Sequence, residues 1–378
     1  MMKWLERISL YDKIEAHRKR PLIAYVTSKR EGCAAFMSSD ALPHIIEQID
    51  SLPPEAEALD FLIASYGGDP MVAWRLLSLI RQRVKDVAVL VPQSAYSAAT
   101  LVALGANEIV MHPNGHLGPV DMQITTTGDS GKPKSFSTED ITAFLDFVRD
   151  TLKITDQEHI RMLFEITCKE VGSLGIGFTA RSSKLAIDLG ERLLALHMKD
   201  DESRSKLRSI VENMSRKFQS HSYTVNRTEA LEIGLPVNKN RDKVLERLMW
   251  DLWIKIEMGL KENAPFEPLF ELLNSAEGAK LLAPVPLINL PMAAAASAHF
   301  QTTINDVNAN ATVTVNPVDF EHINAIVESS RLASAHVSKG KILATRNPDL
   351  MIRYNMVQTS RAWERLEKPK ANKKREVS

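Results

Sequence analysis

Residues 94–121 read Ser94-Ala-Tyr-Ser97-Ala-Ala-Thr-Leu-Val-Ala-Leu-Gly105-Ala-Asn-Glu-Ile-Val-Met-His112-Pro-Asn-Gly-His116-Leu-Gly-Pro-Val-Asp121. A serine opens a run of small, helix-compatible residues, a short β-branched run follows, and a Gly-Pro turn closes the stretch. Upstream, Ser65-Tyr66-Gly67-Gly68-Asp69-Pro70 ends an apolar run. A glycine pair after one strand and a serine after the next suits acyl-transfer chemistry. Such chemistry needs an activated nucleophile and backbone N–H groups aimed at a developing oxyanion. The N–H after a serine at a helix start has no partner inside the helix, and the helix dipole favours negative charge there. Glycine lets a second N–H come close to a substrate. Ser97 is thus the candidate nucleophile, and Gly67, Gly68 and Ala98 are the candidate oxyanion donors.

Outward from this stretch, strands and helices alternate. Strands are expected at Pro21–Ser28, Ala58–Ser65, Val87–Val91 and Glu108–Met111. Helices are expected at Ser39–Ser51, Val72–Val84 and Ala98–Leu104. This βαβ rhythm predicts a mostly parallel sheet. From Thr138 to about Ser220 the apolar spacing turns helical. Thr224–Val237 reads as a helix closed by Gly234 and followed by an exit strand. Arg241–Leu273 is again helical in period, with Leu245, Leu248, Trp250, Trp253 and Ile256 suited to the core or to an interface. Beyond it we expect a strand near Thr312–Val315 and a helix over Phe320–Ala333. The expected division is 1–240 as a catalytic domain and 241–378 as a mainly helical region ending in a basic, disordered tail.

The 378 residues carry 47 acidic and 47 basic side chains, a balance that gives no electrostatic reason to expect a nucleic-acid partner. Cys33 and Cys168 are too few and too far apart for a disulfide framework and read as free thiols. Met1–Arg20 has no apolar core of a secretory signal, and Leu281–Phe300 is interrupted by Pro284, Pro286 and Pro291. No integral membrane span is expected, and the cytoplasm is the expected location. No cluster of His, Cys, Asp and Glu has zinc spacing, so neither metal nor cofactor is expected.

The quoted motifs resemble the Clp protease/crotonase fold. More closely, they resemble the serine dehydrogenase proteinase family, relatives of signal peptide peptidase A. The resemblance spans roughly Pro21 to Val237. It implies an α/β fold, a ββα superhelix around a parallel sheet, and a serine peptidase of the S49 kind with a peptide or protein substrate. It also implies a homo-oligomer. By the family's Ser, Asp, His order it implies Ser97 as nucleophile, Asp121 as orienting acid and His221 as base. Tyr66 departs from the proline that relatives usually carry. A Ser–Lys dyad as in signal peptide peptidases would instead use Lys132 or Lys134, and His116 is a third candidate base. Two other functions share these features. One is a crotonase-type enzyme acting on an acyl thioester, which needs the oxyanion hole but no nucleophilic serine. The other is a degenerate interaction or assembly protein.

Overall fold

The computed structural model describes residues 2–120, 124–127, 133–136, 138–216, 223–284 and 300–367. In chain order the first elements are α1 (Met2–Leu5), α2 (Ile8–Arg18), β1 (Leu22–Thr27), α3 (Leu42–Asp50), β2 (Ala58–Ala64), α4 (Pro70–Arg83) and β3 (Asp86–Val91). Then come β4 (Ser94–Ala95), α5 (Ala98–Leu104), β5 (Glu108–Met111), β6 (His116–Leu117), β7 (Ile124–Thr127) and β8 (Pro133–Phe136). A helical stretch holds α6 (Thr138–Asp146), α7 (Gln157–Val171), α8 (Ser173–Leu194), α9 (Asp201–Arg216), α10 (Arg227–Ile233), α11 (Lys243–Leu260) and α12 (Pro268–Leu273). The last elements are α13 (Phe300–Ala311), β9 (Val313–Thr314), β10 (Val318–Glu328), β11 (Ala333–Arg346) and β12 (Ile352–Arg365).

The main sheet has the order β12-β11-β10-β1-β2-β3-β5, with β9 beside β11. From β1 to β5 the pairing is parallel, as the βαβ rhythm predicts. Its strands read as continuous apolar runs because both faces are covered. On one face Ile23 and Tyr25 of β1 join α3, α4 and α5 in the largest core. On the other, Leu22, Ala24 and Val26 meet Tyr11 and Ile14 of α2 and Leu245, Met249, Leu252, Trp253 and Ile256 of α11. The apolar face of α11 therefore belongs to the core of the chain. Gly234, in the left-handed conformation (φ 97°, ψ 17°), closes α10 as expected.

Within 241–378, α11, α12 and α13 are helical, but from Val313 onward the described chain runs in strands, not in the helices expected there. Phe320–Ala333 is not a helix: its first nine residues lie in β10, and Ala333 opens β11. β10 pairs antiparallel with β1, Tyr25 opposite Val327, so the C-terminal strands extend the same sheet as the parallel core. Phe320, Ile323 and Val327 happen to keep helical spacing, but long-range pairing with β1 and β11 decides the outcome.

A buried ion pair ties the N-terminal helices to the end of β10. Arg7 donates to both carboxylate oxygens of Glu328, Nε at 2.7 Å and Nη2 at 2.5 Å, and the Tyr11 hydroxyl donates to the same carboxylate at 2.9 Å. Cys33 is buried, Cys168 is partly exposed and both are free thiols. No helix among the described residues is long and apolar enough to cross a membrane.

Candidate active site

Three short backbone pairings assemble the site at the carboxyl ends of the parallel strands. Beyond β2, Ser65 bridges Ala95 of β4, with Ser65 N donating to Ser94 O at 2.9 Å and Tyr96 N to Ser65 O at 2.9 Å. β4 pairs in parallel with β6. Gly118 N then donates to Ala95 O at 2.8 Å. Thr100 of α5 donates its hydroxyl to Ala95 O (2.7 Å) and Gly118 O (2.9 Å), pinning both chains to the helix that follows Ser97. A side chain on Gly118 would strike the Tyr96 ring, with its Cβ 1.8 Å from Cδ1.

Ser97 sits in the turn from β4 into α5 with φ 49° and ψ −115°. Lys19 and Lys261 also have positive φ, but as left-handed helix ends with ψ near 31° and 39°. The ψ of Ser97 lies outside that well, in a region costing on the order of 1–3 kcal/mol for a residue with a Cβ. Its hydroxyl does not cap α5, so the ordinary reason for a serine at a helix start does not apply. A strained strand-to-helix turn that lifts a serine hydroxyl clear of the backbone is how a nucleophile is presented.

The glycine pair lies directly against this turn. Gly67 (φ 96°) has no room for a side chain: a Cβ there would be 2.8 Å from Ser97 Cβ and 3.2 Å from Ala98 N. Its N–H donates to Ser65 Oγ at 3.1 Å, and Ser65 Oγ is 2.7 Å from Thr27 Oγ1. Its carbonyl accepts from Met37 N at 2.7 Å, and Met37 O accepts from Asp69 N at 3.0 Å. Met37 thereby holds Gly68 from the far side, and a Cβ on Gly68 (φ 148°) would fall 2.2 Å from Met37 O. Asp69 caps α4 through Met71 N at 2.8 Å. Of the candidate donors, Gly67 N–H is thus committed. The N–H groups of Gly68 and Ala98 have no hydrogen-bond partner among the described residues.

An aromatic stack flanks the turn. Tyr66 lies on Tyr96 with ring centroids 5.0 Å apart and planes 20° off parallel. His116 meets the Tyr96 ring edge-on at 5.4 Å. Lys29 holds its ammonium 5.6 Å from the centroid of Tyr66. His116 Nδ1 donates to Asn114 O at 3.3 Å, which leaves Nε2 as the acceptor nitrogen of a neutral ring. Burial lowers its pKa below the ordinary value, and the Lys29 charge pushes the same way. The stack was not legible in the sequence. The only signal for it was tyrosine at 66 in place of proline.

Asp121, His221 and Lys132 lie outside the described residues. Lys134 is on β8, with its side chain outside them. Described residues on either side of 217–222 meet the stretch before Asp121. Leu117 and Val225 exchange backbone hydrogen bonds at 2.9 and 2.8 Å, and Val120 N donates to Met214 O at 2.9 Å. Met214 and Val225 are thus each hydrogen-bonded to the 117–120 stretch. Among the described residues no group of His, Cys, Asp and Glu could hold a metal ion. A cavity of about 160 Å³ lies between α11 and the β10–β11 face, lined by none of the residues around Ser97.

Residues 5–146 match the family model of the ClpP-like SDH-type serine proteinase. The match bears out the resemblance read from the motifs. It takes in the glycine pair, Ser97 and Asp121 and ends before His221. Two uncharacterized proteins of Methanocaldococcus jannaschii are similar to the chain. One is 24% identical over 278 residues, 71% of this chain and 84% of that protein. The other is 24% identical over 214 residues, 57% of this chain and 65% of that protein. Among solved structures, the 1510-N membrane-bound stomatin-specific protease matches as a serine-to-alanine variant at 17% identity and TM-score 0.33, covering 55% of this chain and 76% of its own. The same protease as a lysine-to-alanine variant with a substrate peptide matches at 17% identity and TM-score 0.33, covering 58% of this chain and 77% of its own.

Proposed function

We propose that this serine-proteinase relative is a working peptidase that cleaves peptide bonds through an acyl-enzyme on Ser97. The observation that carries the reading is the backbone of Ser97, strained at φ 49° and ψ −115° against Gly67. A cap or packing serine has no use for that conformation, and strain of this kind persists only where the surroundings enforce it.

In this reading Ser97 Oγ attacks the scissile carbonyl while His221 takes its proton. Asp121 orients the imidazole and stabilises its charged form. The oxyanion of the tetrahedral intermediate accepts from the N–H groups of Gly68 and Ala98. Gly67 serves as the spacer that lets these two donors approach. His221 returns the proton to the leaving amine, and water then releases the acyl group by the same steps. The anchoring of 214 and 225 beside 117–120 supports this assignment of the base. A homo-oligomer is part of the same reading.

The test is hydrolysis of unfolded protein or peptide libraries by the purified chain, with Ser97→Ala, His221→Ala, Asp121→Asn and His116→Ala beside it. Turnover should fall at least about a thousandfold in the first two and less in Asp121→Asn. Turnover that survives His221→Ala and disappears in His116→Ala would move the base to His116. Turnover unaffected by Ser97→Ala would sink the mechanism.

A further inference from the structure

We infer that Lys29 is a specificity-determining residue that receives a carboxylate of the peptide substrate, so that the protein favours peptides presenting a carboxylate there. This rests on the peptidase reading and names its substrate class.

Lys29 directly follows the segment that leaves β1 and is exposed. Its backbone is fixed: Lys29 N donates to the Glu262 carboxylate at 3.1 Å, Ser28 N to Asn324 O at 2.7 Å, and Ala35 N to Ser28 O at 2.9 Å. Its neighbour Arg30 turns inward, with Nε donating to Ala264 O at 2.6 Å. Lys29 instead carries its ammonium over Tyr66. Tyr66 lies on Tyr96, the residue before Ser97, and leads into Gly67 and Gly68. The cation is thus two stacked rings from the nucleophile. Its charge also reaches His116, on the far side of Tyr96.

No carboxylate within 4 Å neutralises this ammonium among the described residues. Glu262 accepts from the backbone N–H of Lys29 and feels its charge, but no contact ion pair with the ammonium forms. Around the glycine pair the surface is apolar, with Phe36, Tyr66 and Met71 exposed at 62%, 39% and 40%. A cation held over an aromatic face, rimmed by apolar groups and without a contact ion pair, is suited to an incoming anion. On a peptide the anion is either an acidic side chain or the free C-terminal carboxylate.

Three peptides separate these sources: a neutral one with both ends blocked, the same with one internal glutamate, and the neutral one with a free C-terminus. For the preferred carboxylate peptide, Lys29→Met should lower kcat/KM relative to the blocked neutral peptide by about two- to fivefold, the range of one exposed ion pair. Lys29→Glu should make that peptide worse than the neutral one, and added salt should erase the difference. The peptide that responds identifies the source. An unchanged ratio in Lys29→Glu overturns the inference and leaves the peptidase intact. In parallel, the full chain carrying Ser97→Ala is titrated with the same peptides by fluorescence anisotropy. Lys29-dependent binding without turnover by the wild type would refute the peptidase and sustain the carboxylate site. Neither binding preference nor turnover would refute both.

Discussion

Gly67 and Ser97 are packed so closely that one methyl group on the glycine would lie 2.8 Å from the serine Cβ. With φ at 96°, Gly67 also occupies backbone space that other residues enter only at a cost. Gly67→Ala is therefore expected to destabilise the fold by about 1–3 kcal/mol through strain. It should also push the Ser97 turn away from the Gly68 and Ala98 donors. Urea unfolding reads the first effect, and the rate of covalent serine labelling reads the second.

Ser97 stores strain that its replacement should release. Ser97→Gly is expected to be more stable than Ser97→Ala by about 1 kcal/mol. Relief of a cost of about 1–3 kcal/mol exceeds the roughly 0.5–1 kcal/mol entropic penalty of glycine. Both variants lose turnover, so comparing their melting temperatures isolates the backbone. Equal stability would mean that the turn is relaxed.

Glu328 is buried with Arg7 and Tyr11 as its partners. Glu328→Gln leaves a guanidinium buried without its counter-charge and should cost about 3–5 kcal/mol. Adding Arg7→Met should recover part of that loss, because the two sites are coupled. A double-mutant cycle in urea measures both.

Burial lowers the pKa of several imidazoles. His322, between Phe266 and Phe320, is pushed from 6.5 to about 4, by burial first and by the Arg30 charge next. His44, His112, His197 and His336 shift in the same direction. In these groups the unfolded chain takes up protons before the folded one does. Stability should be full above pH 6.5 and decline as pH falls from there toward 4. Urea midpoints at pH 7.5 and 5.5 test this, and His322→Phe should flatten the slope. A midpoint that rises on acidification would contradict the burial of these rings.

The parallel half of the fold was legible because its signals are local. Unbroken apolar runs such as Leu22–Val26 mark strands covered on both faces, and Gly67-Gly68 and Gly118-Pro119 punctuate them. The C-terminal strands were not legible, since Phe320, Ile323 and Val327 fit a helix equally well until β1 and β11 supply partners. At the site, Ser97, the glycine pair and Ala98 could be read from their order and spacing. The Lys29-Tyr66-Tyr96-His116 stack could not, because it joins residues up to 87 positions apart; nor could the commitment of Gly67 N–H to Ser65 Oγ, a hydroxyl that also meets Thr27, 38 positions away.

Treatment with a fluorophosphonate, followed by intact mass and peptide mapping, tests the central claim most directly. An activated Ser97 predicts one phosphonyl adduct per chain, on the peptide containing Ser97, and none in Ser97→Ala. An unmodified wild-type chain, or an adduct on another residue that persists in Ser97→Ala, would contradict a nucleophilic serine at this turn.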